Sequence, residues 1–172
     1  NITGGCNIAI GYQTLGSNTT GGGNISIGAA NLVYNSTGNH NIALGRSALY
    51  SNISGCGNIA IGRRTLAFND YGEYNIALGR ASLYCNTTGG NNVAIGRSAL
   101  YENVVAKENV AIGVRALAYN NSGSVGNPIS NTAVGYRSMY YNVSGSYNTA
   151  IGSKSLHLSN SGSRNVAVGR DS

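Results

Sequence analysis

Acidic side chains are scarce in this chain: 5 Asp and Glu against 11 Lys and Arg in 172 residues, a formal net charge of +6. Charged residues of all kinds make up 9%, well below the usual quarter, while the apolar share of 41% is ordinary. That pairing excludes a charged disordered tail. Tryptophan is absent, and there is one proline and one methionine. No apolar run approaches the roughly 18 residues of a membrane span, so no membrane insertion is expected. Three cysteines, an odd number, do not make a disulfide framework. What the chain has in quantity is glycine, 26 residues, and asparagine. Glycine does not recur at every third position, which excludes collagen.

The glycines and asparagines belong to a repeat. The string Asn-x-(Ala/Ser)-(Ile/Leu/Val)-Gly begins at Asn7, Asn24, Asn41, Asn58, Asn75, Asn92, Asn109, Asn131, Asn148 and Asn165. The spacing is 17 residues six times, then 22, then 17 twice. With that Asn as column one, column twelve is Asn too, Ser159 excepted. Column fifteen is Gly, Ala106 excepted, and column nine is Leu, Met139 excepted. The five surplus residues are expected as one extruded loop within 124–130, beside Pro128. Residues 1–172 thus read as a single array, cut from a longer fibre because the chain starts in column twelve and stops in column eight.

A 17-residue period is too short for a helical hairpin and suits one coil of a parallel β-solenoid. The first strand is expected at Asn41–Gly45 and its copies, where columns two and four are β-branched or Leu almost throughout. Gly in column five frees the chain to turn. A second strand is expected over columns eight to eleven, as in Ala48–Ser51. Asn in column twelve and Gly in column fifteen then make the return turn, Gly supplying positive φ. About ten coils stacked at ~4.8 Å form an all-β rod of roughly 45–50 Å.

Successive strand side chains point to opposite faces. Column three is Ala, or Ser26 once, and never large. A strand restricted on its second face is expected to be covered on both sides, one face filling the coil and the Ala face meeting another chain. A parallel homotrimer about the long axis would hide the sheet edges. The alternative is a monomeric coil whose Ala face meets water.

The run Asn41-Ile42-Ala43-Leu44-Gly45-Arg46-Ser47-Ala48-Leu49-Tyr50-Ser51-Asn52-Ile53-Ser54-Gly55 resembles the head repeats of trimeric autotransporter adhesins. It is more similar still to arrays in tail-fibre or surface-fibre proteins of phages and large viruses. The resemblance covers the whole chain, although the period is longer than the usual adhesin head repeat. It implies a left-handed, trimeric β-roll acting as a shaft or receptor-binding head. The setting it implies is a virion tail or surface fibre, or the extracellular cell surface.

Catalytic chemistry is not expected. His40 and His157 fall in different columns, so no metal site is expected, and no cofactor motif is present. Asp70 and Glu73 share one turn, which offers neither a cleft nor burial for a glycosidase pair. The cations are more ordered: Arg46, Arg63, Arg64, Arg80, Arg97, Arg115, Arg137, Lys154 and Arg170 all occupy columns six or seven. Coil stacking lines them into a basic ridge. One reading is a ladder for a surface glycan or other anionic surface polymer, with nucleic acid not the expected partner. The other is a corner whose guanidinium groups donate to neighbouring carbonyls. Aromatic residues form a second ladder in columns ten and eleven, including Tyr50, Tyr84, Tyr101 and Tyr140. It reads either as a sugar-gripping surface or as a packed stripe. Seven of the eight Asn-x-(Ser/Thr) motifs lie in column twelve, where inward Asn ladders would generate them without glycosylation. Attachment to a host or cell surface through a trimeric fibre is therefore the expected function. A passive shaft or spacer with no ligand is the alternative.

Overall fold

In a computed structural model that describes residues 2–120 and 127–172, the chain is an all-β parallel solenoid of about nine turns. No helix occurs among the described residues. Ten strands form one sheet in parallel register: β1 (Ile8–Ile10), β2 (Ile25–Ala29), β3 (Ile42–Arg46), β4 (Ile59–Ile61), β5 (Ile76–Leu78), β6 (Val93–Ile95), β7 (Val110–Ile112), β9 (Thr132–Val134), β11 (Thr149–Ile151) and β12 (Val166–Val168). Like columns stand beside like: Ile42 pairs with Ile59, Ala43 with Ala60 and Leu44 with Ile61.

The second strand is not formed as expected. Only β8 (Tyr119–Asn120) and β10 (Tyr141–Asn142) appear there, paired with each other. Elsewhere columns seven to eleven make a turn. Columns seven and nine both sit at positive φ, as in Ser47 (58°) and Leu49 (50°), which breaks the pleat. The turn nonetheless stacks like a strand. Leu49 N–H donates to the Thr65 carbonyl at 3.0 Å, and Ser51 N–H to that of Ala67 at 2.9 Å.

The faces of the sheet are also inverted relative to expectation. Ala43, Ala60, Ala77, Ala94, Ala111, Ala133 and Ala150 are fully buried and pack with the column-nine leucines inside the coil. Columns two and four point outward instead: Ile27, Ile61, Ile76, Ile112 and Ile151 are 37 to 43% exposed. The reason is width. A 17-residue coil must also house two rows of Asn, and only an Ala row leaves space for them beside Leu.

Those Asn rows tie the coils together. Along column twelve each Asn amide donates to the Asn Oδ1 of the preceding coil, at 2.7 to 3.1 Å from Asn35 to Asn142. Column one repeats this at 3.0 to 3.3 Å, and its backbone N–H joins the same oxygen. The rows meet at column fifteen: Asn41 and Asn52 both donate to the Gly55 carbonyl, at 2.8 and 3.0 Å. Gly55 serves there for space rather than for positive φ, because a Cβ would strike the Gly72 carbonyl and the Asn52 and Asn69 amides; the one coil with a Cβ in this column, at Ala106, precedes the break in the period. The positive φ of this turn lies two residues later, in column seventeen. The motif asparagines of column twelve, such as Asn52 and Asn86, are fully buried and offer no face to a modifying enzyme in the folded array.

Asn109 donates to the Pro128 carbonyl at 3.0 Å, the bond that other coils make to column fifteen. Residues 127–130 therefore run in columns fourteen to seventeen, as part of the wall rather than of an extruded loop. The rest of the expected loop, Ser124 to Gly126, lies outside the described residues.

Candidate functional site

The corner after each column-five Gly governs where the cations stand. These glycines have φ between 120° and 136°, and a Cβ on Gly79 would press on the Gly96 carbonyl group of the next coil at 2.9 to 3.0 Å. Only glycine meets both demands. The chain then turns sharply, and columns six and seven project beside columns ten and eleven of neighbouring coils.

The two ladders that the sequence suggests separately meet in one place. Arg64, Arg80, Arg97 and Arg115, from four successive coils, line an open groove of about 260 Å³ with Tyr84 and Tyr101. Tyr84 and Tyr101 stack with ring centres 5.2 Å apart and planes within 9°. The groove continues in both directions. One extension, about 250 Å³, shares Ser98, Tyr101 and Arg115 and reaches Tyr119 and Tyr140. The other, about 210 Å³, shares Arg64 and Tyr84 and reaches Ser47, Tyr50 and Phe68. Together they make a furrow along the rod from the third coil to the eighth.

One size rule keeps the furrow's aromatic side continuous. Where a ring stands in column eleven, column ten is small in three coils of four, Val33–Tyr34, Ala67–Phe68 and Ala118–Tyr119, with Tyr140–Tyr141 the exception. The ring then meets one in column ten of the next coil: Tyr34 with Tyr50, Phe68 with Tyr84 and Tyr119 with Tyr140, at 5.0 to 5.2 Å and near right angles. These are attractive edge-to-face geometries. Burial raises the Tyr101 hydroxyl above its ordinary pKa, with Cys85, Tyr84 and Glu102 adding to the effect and Arg64 opposing it. Tyr50 is raised chiefly by its hydrogen bond with Tyr34.

The guanidinium groups of the groove have no counter-charge in the chain. Among the described residues the one ion pair is Arg170 with Asp171, at 3.2 Å. Among the described residues no side-chain hydrogen bond from Arg64, Arg80, Arg97 or Arg115 is formed, so there these forks do not tie neighbouring coils as a structural corner would require. Like charges on adjacent coils repel by roughly 1 kcal/mol in water before screening by salt. Nor does the fold need Arg there: column six also accepts Tyr12, Ala29, Val114 and Ser153.

The other candidate residues divide. Arg46 and Arg63 are exposed but outside the furrow's lining, where Arg64 takes the place expected of Arg63. Arg137 lies over the Tyr136 and Tyr140 rings, at 5.2 and 5.3 Å, and its Nε is buried without a partner. Lys154 is half-buried. Tyr140 is only 9% exposed and stacks on His157 at 5.3 Å, so it packs the furrow's end. Asp70 is partly buried, and desolvation raises its carboxyl pKa, in contrast to the fully solvated turn expected. Cys6, Cys56 and Cys85 are free thiols, and no cluster of metal-ligating side chains occurs among the described residues. Comparison with protein-family models, with curated proteins and with solved structures finds no match to this chain.

Proposed function

We propose that this array is a non-catalytic structural and adhesive segment of a trimeric fibre that attaches to a host or cell surface. The observation that carries the reading is the outward face of the sheet. Across ten strands, columns two and four hold Ile, Leu or Val at every position but Thr132 and Thr149. Nine intervals of ~4.8 Å make a stripe about 43 Å long, and its two rows stand roughly 7 Å apart. Contiguous apolar surface of that kind marks an interaction site. A second copy in the same direction has the same period, so every Ile of one face meets an equivalent gap in the other. Three chains about one axis satisfy all three faces and close, which keeps the assembly from growing sideways. Repetition along and around the rod then multiplies any weak surface contact by avidity. A virion tail or surface fibre, or an extracellular cell-surface fibre, is the setting this implies, in keeping with the sequence resemblance.

Light scattering on the purified array tests the assembly. The expected mass is three times the 17.6 kDa chain. A monodisperse monomer at micromolar concentration rejects the trimer. An array that forms trimers yet adheres to no cell surface or glycan leaves the spacer reading in its place.

A further inference from the structure

The geometry points to the furrow as a binding site for a linear anionic polysaccharide, one carrying a sulfate or carboxylate on its sugars and lying along the rod. This gives the attachment reading its ligand and rests on that reading for its biological setting. The binding site itself needs only the single chain.

Four features carry it. The first is unclaimed donors: Arg64, Arg80, Arg97 and Arg115 each present five guanidinium N–H groups, and none is engaged by a carboxylate of the chain. The second is placement. In the seventh coil column six is Val114, yet column seven supplies Arg115 to the same groove, so a cation is kept although the column changes. The first two coils carry no charge in either column, with Tyr12, Gln13, Ala29 and Ala30 there, so the repeat does not by itself require a cation. The third is side-chain type. All four groove cations are Arg, whose planar fork matches the two oxygens of a carboxylate or sulfate. Tyr84 and Tyr101 add ring surface and hydroxyls, the pairing that a pyranose with its C–H face and hydroxyl edge requires. Glu102 is the acidic neighbour of Tyr101 in sequence and is not part of the lining.

The fourth is shape. The furrow is open, continuous over several coils and advances one cation per coil, about 4.8 Å. That is close to the advance of one sugar in an extended chain. A nucleic acid fits less well. Base stacking between two rings needs roughly twice the ~3.4 Å base spacing, whereas the Tyr84 and Tyr101 centres are 5.2 Å apart.

The test is titration calorimetry of the whole array with four probes: a heparin octasaccharide, a polygalacturonate octamer, a neutral cello-oligosaccharide and a single-stranded oligonucleotide of matched charge. The expected result is binding of heparin, polygalacturonate or both, weakening with salt, and none of the neutral chain. Which of the two binds identifies the anion as sulfate or carboxylate. The double variant Arg80→Gln/Arg97→Gln should lose at least tenfold in affinity with an unchanged circular dichroism spectrum. The charge-matched pair Lys107→Gln/Arg164→Gln, on the return turn, should lose less than twofold. Should the groove variant misfold, protection of Arg80 and Arg97 from a dicarbonyl reagent by the bound oligosaccharide in the unmutated protein is the second measurement. Three results overturn the proposal: no binding of either anionic glycan, equal losses in both double variants, or tighter binding of the oligonucleotide. Adhesion of the array to cells separates the two readings. Adhesion that survives the groove variant sinks the furrow and leaves attachment standing. Glycan binding in solution without adhesion does the reverse.

Discussion

Column nine places eight leucines and Met139 at φ between 48° and 51°. L-residues avoid this region by about 1–2 kcal/mol, and a β-branched side chain is a true outlier there. Leu is therefore chosen over Ile and Val for its backbone as well as its volume. The same holds for columns seven and seventeen, which contain no Val, Ile or Thr in any described coil although columns two and four are full of them. Leu83→Val should accordingly cost about 2–4 kcal/mol, combining backbone strain with the lost methylene. Leu83→Met, with Met139 as its precedent, should cost less than about 1.5 kcal/mol. Urea unfolding of the two variants side by side reads the difference, and equal costs would refute the backbone argument. The sequence alone does not mark these positions, because column eleven also lacks Val, Ile and Thr although none of its residues sits at positive φ.

The ladders act at the scale of the coil. From Asn35 to Asn120 each Asn in column twelve accepts from one neighbour and donates to the other, so the row ends where a coil lacks Asn. Ser159 is that place, and the Oδ1 of Asn142 below it is buried with no donor. Ser159→Asn should supply the missing amide, bonding Asn142 on one side and the Gly162 carbonyl on the other. Its expected effect is a gain of about 1 kcal/mol. Solenoid stability is a sum of coil and interface terms, so the gain should be local. Amide exchange across residues 142–165 should slow while the first coils are unaffected; unchanged protection would count against the ladder's role. Both ladders were legible from the repeat itself, because their columns admit almost nothing but Asn. The turn that replaces the expected second strand was not, since its inter-coil hydrogen bonds mimic a strand while its dihedrals do not.

Over the whole molecule, the division between inside and outside decides what each substitution does. Ala77 is buried within the coil, so Ala77→Glu introduces an unpaired charge beside Leu83 and should abolish folding rather than merely assembly. Ile61, on the outer face, should behave in the opposite way. Ile61→Glu should leave the β spectrum intact and dissociate the proposed trimer, because like charges on its three facing stripes would repel. Light scattering and circular dichroism on the two variants distinguish these outcomes. A folded Ala77→Glu array would mean that the Ala face is not the core.

From the sequence alone came the period, the parallel stack, the glycine corners, the Asn ladders and the columns that hold Arg and Tyr. All are set by residue type at a fixed spacing, and each coil repeats the same local preferences. Only the tertiary structure decided which sheet face turns inward, because alternation says that two faces differ and volume says which one fits. It likewise decided that Arg64 and not Arg63 joins Arg80, Arg97 and Arg115 beside Tyr84 and Tyr101. Two ladders read from separate columns become one furrow when the coil folds back on itself. That meeting depends on left-handed residues turning the chain between them, which no single column could reveal.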